Sequence, residues 1–134
     1  MAATGPRNTI TRQGDDREVG VKAATRIWQG TIAVNDAGVA APGRTAPGLV
    51  ALGLAQETAD NTGGAAGAIK VKVRRGHFYL KNSSGDPVTA ASIGKDVFIV
   101  DDETVSATNA GGNTQSVAGK CFDVDAGGVW VTIG

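Results

Sequence analysis

Apolar and polar residues alternate along much of the chain, and this pattern predicts short β-strands. In residues 69–74 every second residue is apolar, beginning with Ile69, and the residues between them are basic. Strict alternation is typical of a strand buried on one face only. Similar patterns predict six further strands, over residues 26–34, 49–56, 76–81, 96–100, 117–123 and 129–133.

Three segments share a pattern that predicts β-hairpins. Residues 34–39, 100–105 and 124–129 each place four turn-forming residues, rich in Asp, Asn and Gly, between two valines. Asn and Asp bond to the nearby backbone, and Gly accepts positive φ, so these residues favour tight connections between strands. Longer loops are expected over residues 42–48, 60–68, 82–87 and 109–115.

The first 17 residues are polar, lack sustained periodicity and contain the turn-forming runs Gly5-Pro6 and Gly14-Asp15-Asp16. We interpret residues 1–17 as an extended N-terminal arm and residues 18–134 as a single β domain.

The composition supports an all-β fold. The chain has 15 Val, 7 Ile and 13 Thr against 4 Leu and 1 Met, and β-branched residues pack well in sheets. Without a convincing helical segment, the spacing of the strands predicts a small β-sandwich or jelly-roll-like barrel of short antiparallel strands. With only two Trp, one Tyr and three Phe, we expect the aromatic residues to be scattered, and Trp28 and Trp130 to be buried or to lie at an interface.

The charges cancel overall but are unevenly distributed. Residues 1–75 carry 10 basic and 6 acidic side chains, net +4, whereas residues 76–134 carry 3 basic and 7 acidic side chains, net −4. The zero total argues against direct nucleic-acid binding and against a polybasic membrane surface. The asymmetry suits head-to-tail contact between copies, although chance clustering of solvated charges explains it equally well.

We expect a soluble protein made in the cytoplasm. The N-terminus lacks the apolar core of a secretory signal. The longest apolar stretch, residues 48–55, is well short of the roughly 20 residues that cross a bilayer as a helix.

The candidate chemistry is sparse. Cys121 and His77 are the only cysteine and histidine, and both lie in predicted strands, so a small buried Cys is favoured over a nucleophile–base pair. Two acidic groups, residues 101–103 and the pair Asp123 and Asp125, could hold Ca²⁺ or serve a glycosidase. Both fall in predicted hairpin turns, where Asp is expected for conformational reasons. We therefore expect no catalytic residue, cofactor or metal.

A basic stripe, Lys70, Lys72 and Arg74, continues into Arg75. It fits contact with an acidic protein surface or with phosphates. It fits equally a solvated strand face whose lysines discourage edge-to-edge aggregation. Without interleaved aromatic residues to stack on bases, the protein surface is the better partner.

Four runs occur in an order that resembles a known family. They are GLVALGLAQETADNTGG at 48–64, IKVKVRRG at 69–76 with the short Phe-Tyr-Leu strand after it, GKDVFIVDDETV at 94–105 and AGKCFDVDAGGVWV at 118–131. This order resembles the small capsid cement (head decoration) proteins of tailed bacteriophages and prophages, including the kind that coats the head of a Bordetella phage. The resemblance covers residues 20–134 and consists of strand and turn signatures.

The resemblance implies a virion structural protein of β-sandwich or jelly-roll fold. Such a protein is not an enzyme; it binds the outside of the head and stabilises the lattice of the major capsid protein. It would act as a homo-dimer or homo-trimer, since capsid lattices are symmetric. We expect the capsid contacts to come from the arm and the basic stripe, through Arg7, Arg12, Arg17, Lys70, Lys72 and Arg74. The alternatives are a virion-displayed β module that binds a receptor or glycan and, more remotely, a hydrolase.

Overall fold

The computed structural model describes residues 2–10, 12 and 14–134, and Met1, Thr11 and Gln13 of the predicted arm lie outside this part. The described chain forms twelve strands: β1 (Asp16–Gly20), β2 (Thr25–Ile27), β3 (Ile32–Asp36), β4 (Val39–Pro42), β5 (Val50–Ala55), β6 (Ala59–Asn61), β7 (Lys70–Arg74), β8 (Gly76–Asn82), β9 (Asp96–Ile99), β10 (Thr104–Ser106), β11 (Val117–Asp125) and β12 (Gly128–Ile133). Its helical parts are single turns, Ala90–Ser92 and Ala110–Asn113.

The strands form an open sheet, a closed barrel and a two-stranded ribbon. The sheet has the order β1-β7-β5-β3-β4, the barrel has the order β10-β8-β12-β11-β9, and the ribbon pairs β2 with β6. Neighbouring strands are antiparallel, apart from the parallel pair β8 and β10. The predicted all-β fold of short antiparallel strands is confirmed.

Strand β3 lies at the centre of the molecule, because both of its faces are buried. Ile32 and Val34 pack into a core shared with the interior of the barrel, which includes Ile99 and Val131. Ala33 faces the other way, into a second core with residues of β2, β6 and β7. The open sheet is therefore covered by the barrel on one face and by the ribbon on the other. A strand buried on both faces reads as a continuous apolar run.

All three predicted hairpins form. The first joins β3 to β4 through Ala37 and Gly38, whose φ angles of 53° and 103° are typical of a type I′ turn. The second joins β9 to β10 through residues 100–103. The third joins β11 to β12 through Ala126 and Gly127. In the first and third hairpins, two of the four turn-forming residues extend the ladder and only two make the turn.

One strand prediction and one loop prediction were wrong. Residues 26–34 do not form one strand: β2 ends at Ile27, and β3 begins at Ile32. Between them Gly30 has a φ of 82°, and the Thr31 hydroxyl donates to the Trp28 carbonyl at 2.7 Å, which closes a turn. The loop expected over residues 60–68 begins late, because β6 pairs with β2 up to Asn61.

The boundary between the charged halves coincides with a boundary in the fold. Residues up to Arg75 build the open sheet and the ribbon, whereas the barrel is built from Gly76 onward. The net charge of +4 therefore belongs to the sheet and ribbon with the N-terminal residues, and the net charge of −4 belongs to the barrel.

Candidate functional site

Four ring-bearing side chains lie together on the outer surface of the barrel. Tyr79 on β8 is directly opposite Trp130 on β12, and His77 on β8 is opposite Thr132. Directly paired residues point to the same side of a sheet, and the intervening residues of both strands point into the barrel. His77, Tyr79, Trp130 and Phe122 of β11 are hereafter the aromatic strip.

The rings of the aromatic strip form two contacting pairs. Tyr79 and Trp130 have ring centroids 5.0 Å apart, and His77 and Phe122 have centroids 4.8 Å apart. Phe122 follows the inward-facing Cys121 and so points outward, and the register shift between Cys121 and Asp123 places Asp123 on the same outer face, opposite Trp130. Exposures of 45% for Tyr79, 38% for Trp130 and 59% for Phe122 leave much apolar surface in water. Exposed apolar patches of this kind often mark interaction sites.

Hydrogen bonds fix the orientation of two rings in the strip. The Tyr79 hydroxyl donates to the carboxylate of Asp125, and Nδ1 of His77 lies 2.8 Å from the hydroxyl of Thr132. The bond to Asp125 raises the pKa of Tyr79, and the same bond lowers the pKa of Asp125. Backbone N–H groups of Gly127 and Gly128 also donate to this carboxylate, at 2.8 and 3.0 Å. Asp125 is therefore a fixed anion beside the strip.

Two carboxylates at the strip have no cationic partner among the described residues. Asp123 is paired in register with Trp130, and Asp125 accepts the Tyr79 hydroxyl. Neither is in an ion pair, whereas the nearby lysines are neutralised: Lys81 lies 2.8 Å from Glu103, and Lys120 lies 2.6 Å from Asp96. Exposed rings beside uncompensated carboxylates form a surface that suits a cation, because a cation is attracted by ring faces and by negative charge.

The aromatic strip contradicts the expectation that the aromatic residues are scattered. The two tryptophans are also not core residues, since Trp28 is 53% exposed and Trp130 is 38% exposed. The alternation of apolar and polar residues over 76–81 and 129–133 places Tyr79 and Trp130 at outward positions. Their exposure could therefore have been predicted from the sequence. Their convergence depends on the pairing of β8 with β12, and the sequence pattern does not specify that pairing.

Three of the predicted contact residues share one face of the open sheet. Lys70, Lys72 and Arg74 alternate on β7 with the buried Val71 and Val73, and all three are exposed. β7 pairs with both β1 and β5, so it is not an edge strand, and the proposed edge-protecting role for its lysines was wrong.

Acidic residues of β1 reduce the charge of this basic face. Asp16 accepts two hydrogen bonds from Arg74, at 2.7 and 3.1 Å, and Glu18 is opposite Lys72 in the ladder. The hydrogen bond from Arg74 lowers the pKa of Asp16 and raises that of Arg74. Lys70 is opposite Gly20 in the ladder. Although Lys72 is opposite Glu18, neither lysine is in an ion pair among the described residues.

The other three predicted contact residues lie apart from that face. Arg17 is opposite Val73 in the ladder and therefore points to the other side of the sheet, although it lines a shallow depression together with Arg12 and Lys72. Arg7 is exposed within the N-terminal residues. The structure therefore does not unite the six residues in one patch.

Cys121 and His77 are on opposite sides of the barrel wall. Cys121 is 2% exposed and packs in the barrel core, where burial raises the pKa of its thiol. His77 is exposed on the outer face. They do not form a nucleophile–base pair.

The acidic turns take part in local structure. The Asp101 carboxylate accepts the Glu103 N–H at 2.9 Å, and Glu103 pairs with Lys81. Burial raises the pKa of Asp102, and its two acidic neighbours raise it further. Across residues 2–10, 12 and 14–134 no group of three or more His, Cys, Asp or Glu side chains could hold a metal ion.

The helical turns described above are far too short to cross a membrane, and the described residues contain no long apolar helix. Comparisons of the chain with protein-family models, with curated proteins and with solved structures find no match. The functional assignment therefore depends on the sequence patterns and on the surfaces described above.

Proposed function

We propose that this chain is a non-enzymatic virion structural protein that binds the outside of a tailed-phage head and stabilises the lattice of the major capsid protein. Lys70 and Lys72 would contact acidic patches on the capsid surface, with Arg74 beside them on the same face of the sheet. The barrel would then remain available for contacts with neighbouring copies.

The observation that carries this proposal is where the family-like runs lie in the fold. Residues 48–64 contain β5 and β6, and residues 69–76 contain β7. Residues 94–105 contain most of the β9–β10 hairpin, and residues 118–131 contain most of the β11–β12 hairpin. The resemblance therefore follows the structural frame rather than one local motif. A rigid β body with an exposed basic face is also suited to bridging subunits on a shell, where many weak contacts act together.

The alternative, a module that binds a receptor or glycan, requires a concave aromatic site. The chain supplies the aromatic residues, but they lie on the outer wall of a closed barrel. That surface is convex, so it would enclose little of a sugar. Small-molecule and sugar sites are usually clefts, and this geometry favours a partner surface instead.

The test is an add-back experiment with phage heads that lack this protein. Purified chain is mixed with the heads, and bound protein is measured after sedimentation at several salt concentrations. We expect saturable binding that weakens at least threefold in a Lys70→Gln/Lys72→Gln variant and that decreases as salt rises, because screening reduces contacts between exposed charges.

The matched control removes two lysines from the barrel, Lys95→Gln/Lys120→Gln, and should bind as the unaltered chain does. Absence of saturable binding by the unaltered chain would overturn the proposal. Equal loss in both variants would show that net charge matters and that the basic face of β7 does not.

A further inference from the structure

Two exposed features of the molecule are complementary and are both left uncovered by a single chain. One is the N-terminal segment, residues 2–12, which carries Arg7 and Arg12 and has no acidic residue. Its backbone makes an internal hydrogen bond, from Thr9 N to Arg7 O at 3.1 Å, and Ile10 is 95% exposed. The other is the aromatic strip with its two uncompensated carboxylates.

We propose that the N-terminal segment of one copy binds the aromatic strip of a second copy. The guanidinium groups of Arg7 and Arg12 would lie against the rings of Tyr79 and Trp130 and would bond to the carboxylate of Asp123. Ile10 would be buried against the exposed ring of Phe122.

The chemistry of the strip favours arginine. A guanidinium is planar, so it stacks on an aromatic face while its N–H groups bond to a carboxylate. The chain already contains such a contact, since the Arg26 guanidinium lies 5.0 Å from the Trp28 ring centroid and donates to Asp60 at 2.8 Å. Trp130 and Asp123, which are paired in register, offer the same combination of a ring and a carboxylate. In this second case the arginine would come from the N-terminal segment of another copy.

The charge distribution favours a second copy as the source of the segment. The segment belongs to the half of the chain with net charge +4, and the strip belongs to the half with net charge −4. Contact between the basic half of one copy and the acidic half of another brings opposite charges together. The same contact would bury Ile10, which is exposed to water in the isolated chain. Residues 2–14 can also reach a neighbour, because an extended chain of this length spans about 40 Å.

The experiment is a charge-exchange test of self-association. The full chain is followed by sedimentation velocity over a range of concentrations, beside an Arg7→Glu/Arg12→Glu variant and an Asp123→Lys variant. The unaltered chain should associate with rising concentration, and each variant should associate at least tenfold more weakly. All the altered side chains are exposed, and circular dichroism would confirm that the variants fold.

Mixing the two variants is the decisive step. The Asp123→Lys chain keeps an intact segment and the other variant keeps an intact strip, so the mixture should recover association that neither variant shows alone. A Lys95→Gln chain is the control and should self-associate normally. In a Trp28→Phe background, emission from Trp130 should shift as the chain associates.

The proposal is overturned by a chain that stays monomeric at all concentrations, or by association that persists in both charge variants. It is also overturned by a Trp130 emission shift that depends on Arg7 and Arg12 but not on concentration, since the segment would then bind its own barrel. Specific binding on a glycan array that is lost in Trp130→Ala would likewise assign the strip to another ligand. None of these results depends on binding to heads, so this inference and the capsid assignment can fail separately.

Discussion

Close backbone contacts at single residues decide where the strands can pair. Gly53 of β5 has a φ of 146°, and a Cβ placed there would lie 2.2 Å from the carbonyl oxygen of Arg74. The ladder between β3 and β5 also shifts register beside Gly53. Only a residue without a side chain fits this crossing of β5 and β7.

We therefore expect Gly53→Ala to lower the free energy of unfolding by about 1–3 kcal/mol, because the new methyl group clashes with backbone and φ is strained. Urea denaturation followed by circular dichroism measures the change. Gly63→Ala is the control: no heavy atom lies within 4 Å of its added Cβ, so a change within about 0.5 kcal/mol is expected there. Equal effects at both positions would contradict this account of Gly53.

Residue patterns predicted the local features of the site but not their assembly. Turn residues such as Asn35 and Gly38 specify hairpins through neighbouring backbone, so all three hairpins were predicted. The aromatic strip joins residues about 50 positions apart, and it exists because Tyr79 pairs with Trp130 in register. That register depends on closure of the barrel, which no local pattern encodes.

At the level of elements, β1 and the N-terminal segment differ in their structural role. β1 pairs with β7 over five residues, and Asp16 and Arg17 belong to this strand. The described residues of the N-terminal segment, 2–10 and 12, are by contrast exposed. A deletion that tests the segment must therefore stop before β1.

Deleting residues 2–12 should change the free energy of unfolding by less than about 0.5 kcal/mol, because little buried surface is lost. Deleting residues 2–20 should cost on the order of 3 kcal/mol, since it removes a strand, exposes the edge of β7 and uncovers Val71 and Val73. Thermal unfolding of both variants makes the comparison. A shorter deletion as damaging as the longer one would show that the segment is part of the folded body.

An ion pair joins the two strands of the β2–β6 ribbon, and we expect it to make stability depend on pH. A hydrogen bond from Arg26 to Asp60, at 2.8 Å, is the main cause that lowers the pKa of Asp60 from 3.8 to about 2, and bonds from Thr62 add to it. A carboxyl with a lowered pKa stabilises the fold above its unfolded pKa, and this contribution is lost as the pH falls through the folded value.

Stability should therefore decline between pH 4 and pH 2, and part of that decline should be absent in Asp60→Asn. Urea midpoints at several pH values test this, with Asp123→Asn as a control because that carboxylate has no ion pair among the described residues. Parallel pH profiles for the unaltered chain and Asp60→Asn would show that the Arg26 contact contributes nothing to the pH dependence.

The bounds of a strand were predicted well where only one of its faces is buried. They were wrong where the chain turns between strands that do not form a hairpin. β7 has alternating burial, so its bounds were predicted to within one residue. The break between β2 and β3 was missed because Gly30 lies among strand-forming residues. In addition, β3 is apolar on both faces, so its residues do not alternate with polar ones in a way that marks where the strand begins. β6 was missed because it has only three residues.

For the whole molecule, the fold separates a basic sheet half from an acidic barrel half. A capsid-bound protein with this division can place Lys70 and Lys72 against the shell and leave the barrel for neighbouring copies. Self-association through the N-terminal segment would then link copies laterally. Charge division of this kind was visible in the sequence, but its coincidence with the barrel boundary at Gly76 required the structure.

The measurement that tests the central proposal most directly is the number of copies of this chain per copy of the major capsid protein in purified phage particles. Quantitative mass spectrometry with isotope-labelled peptides gives this ratio. A ratio near one, or a simple fraction set by the lattice, is the result expected for a protein that covers the head. Absence from the particles, or only a handful of copies in each, would contradict the proposal.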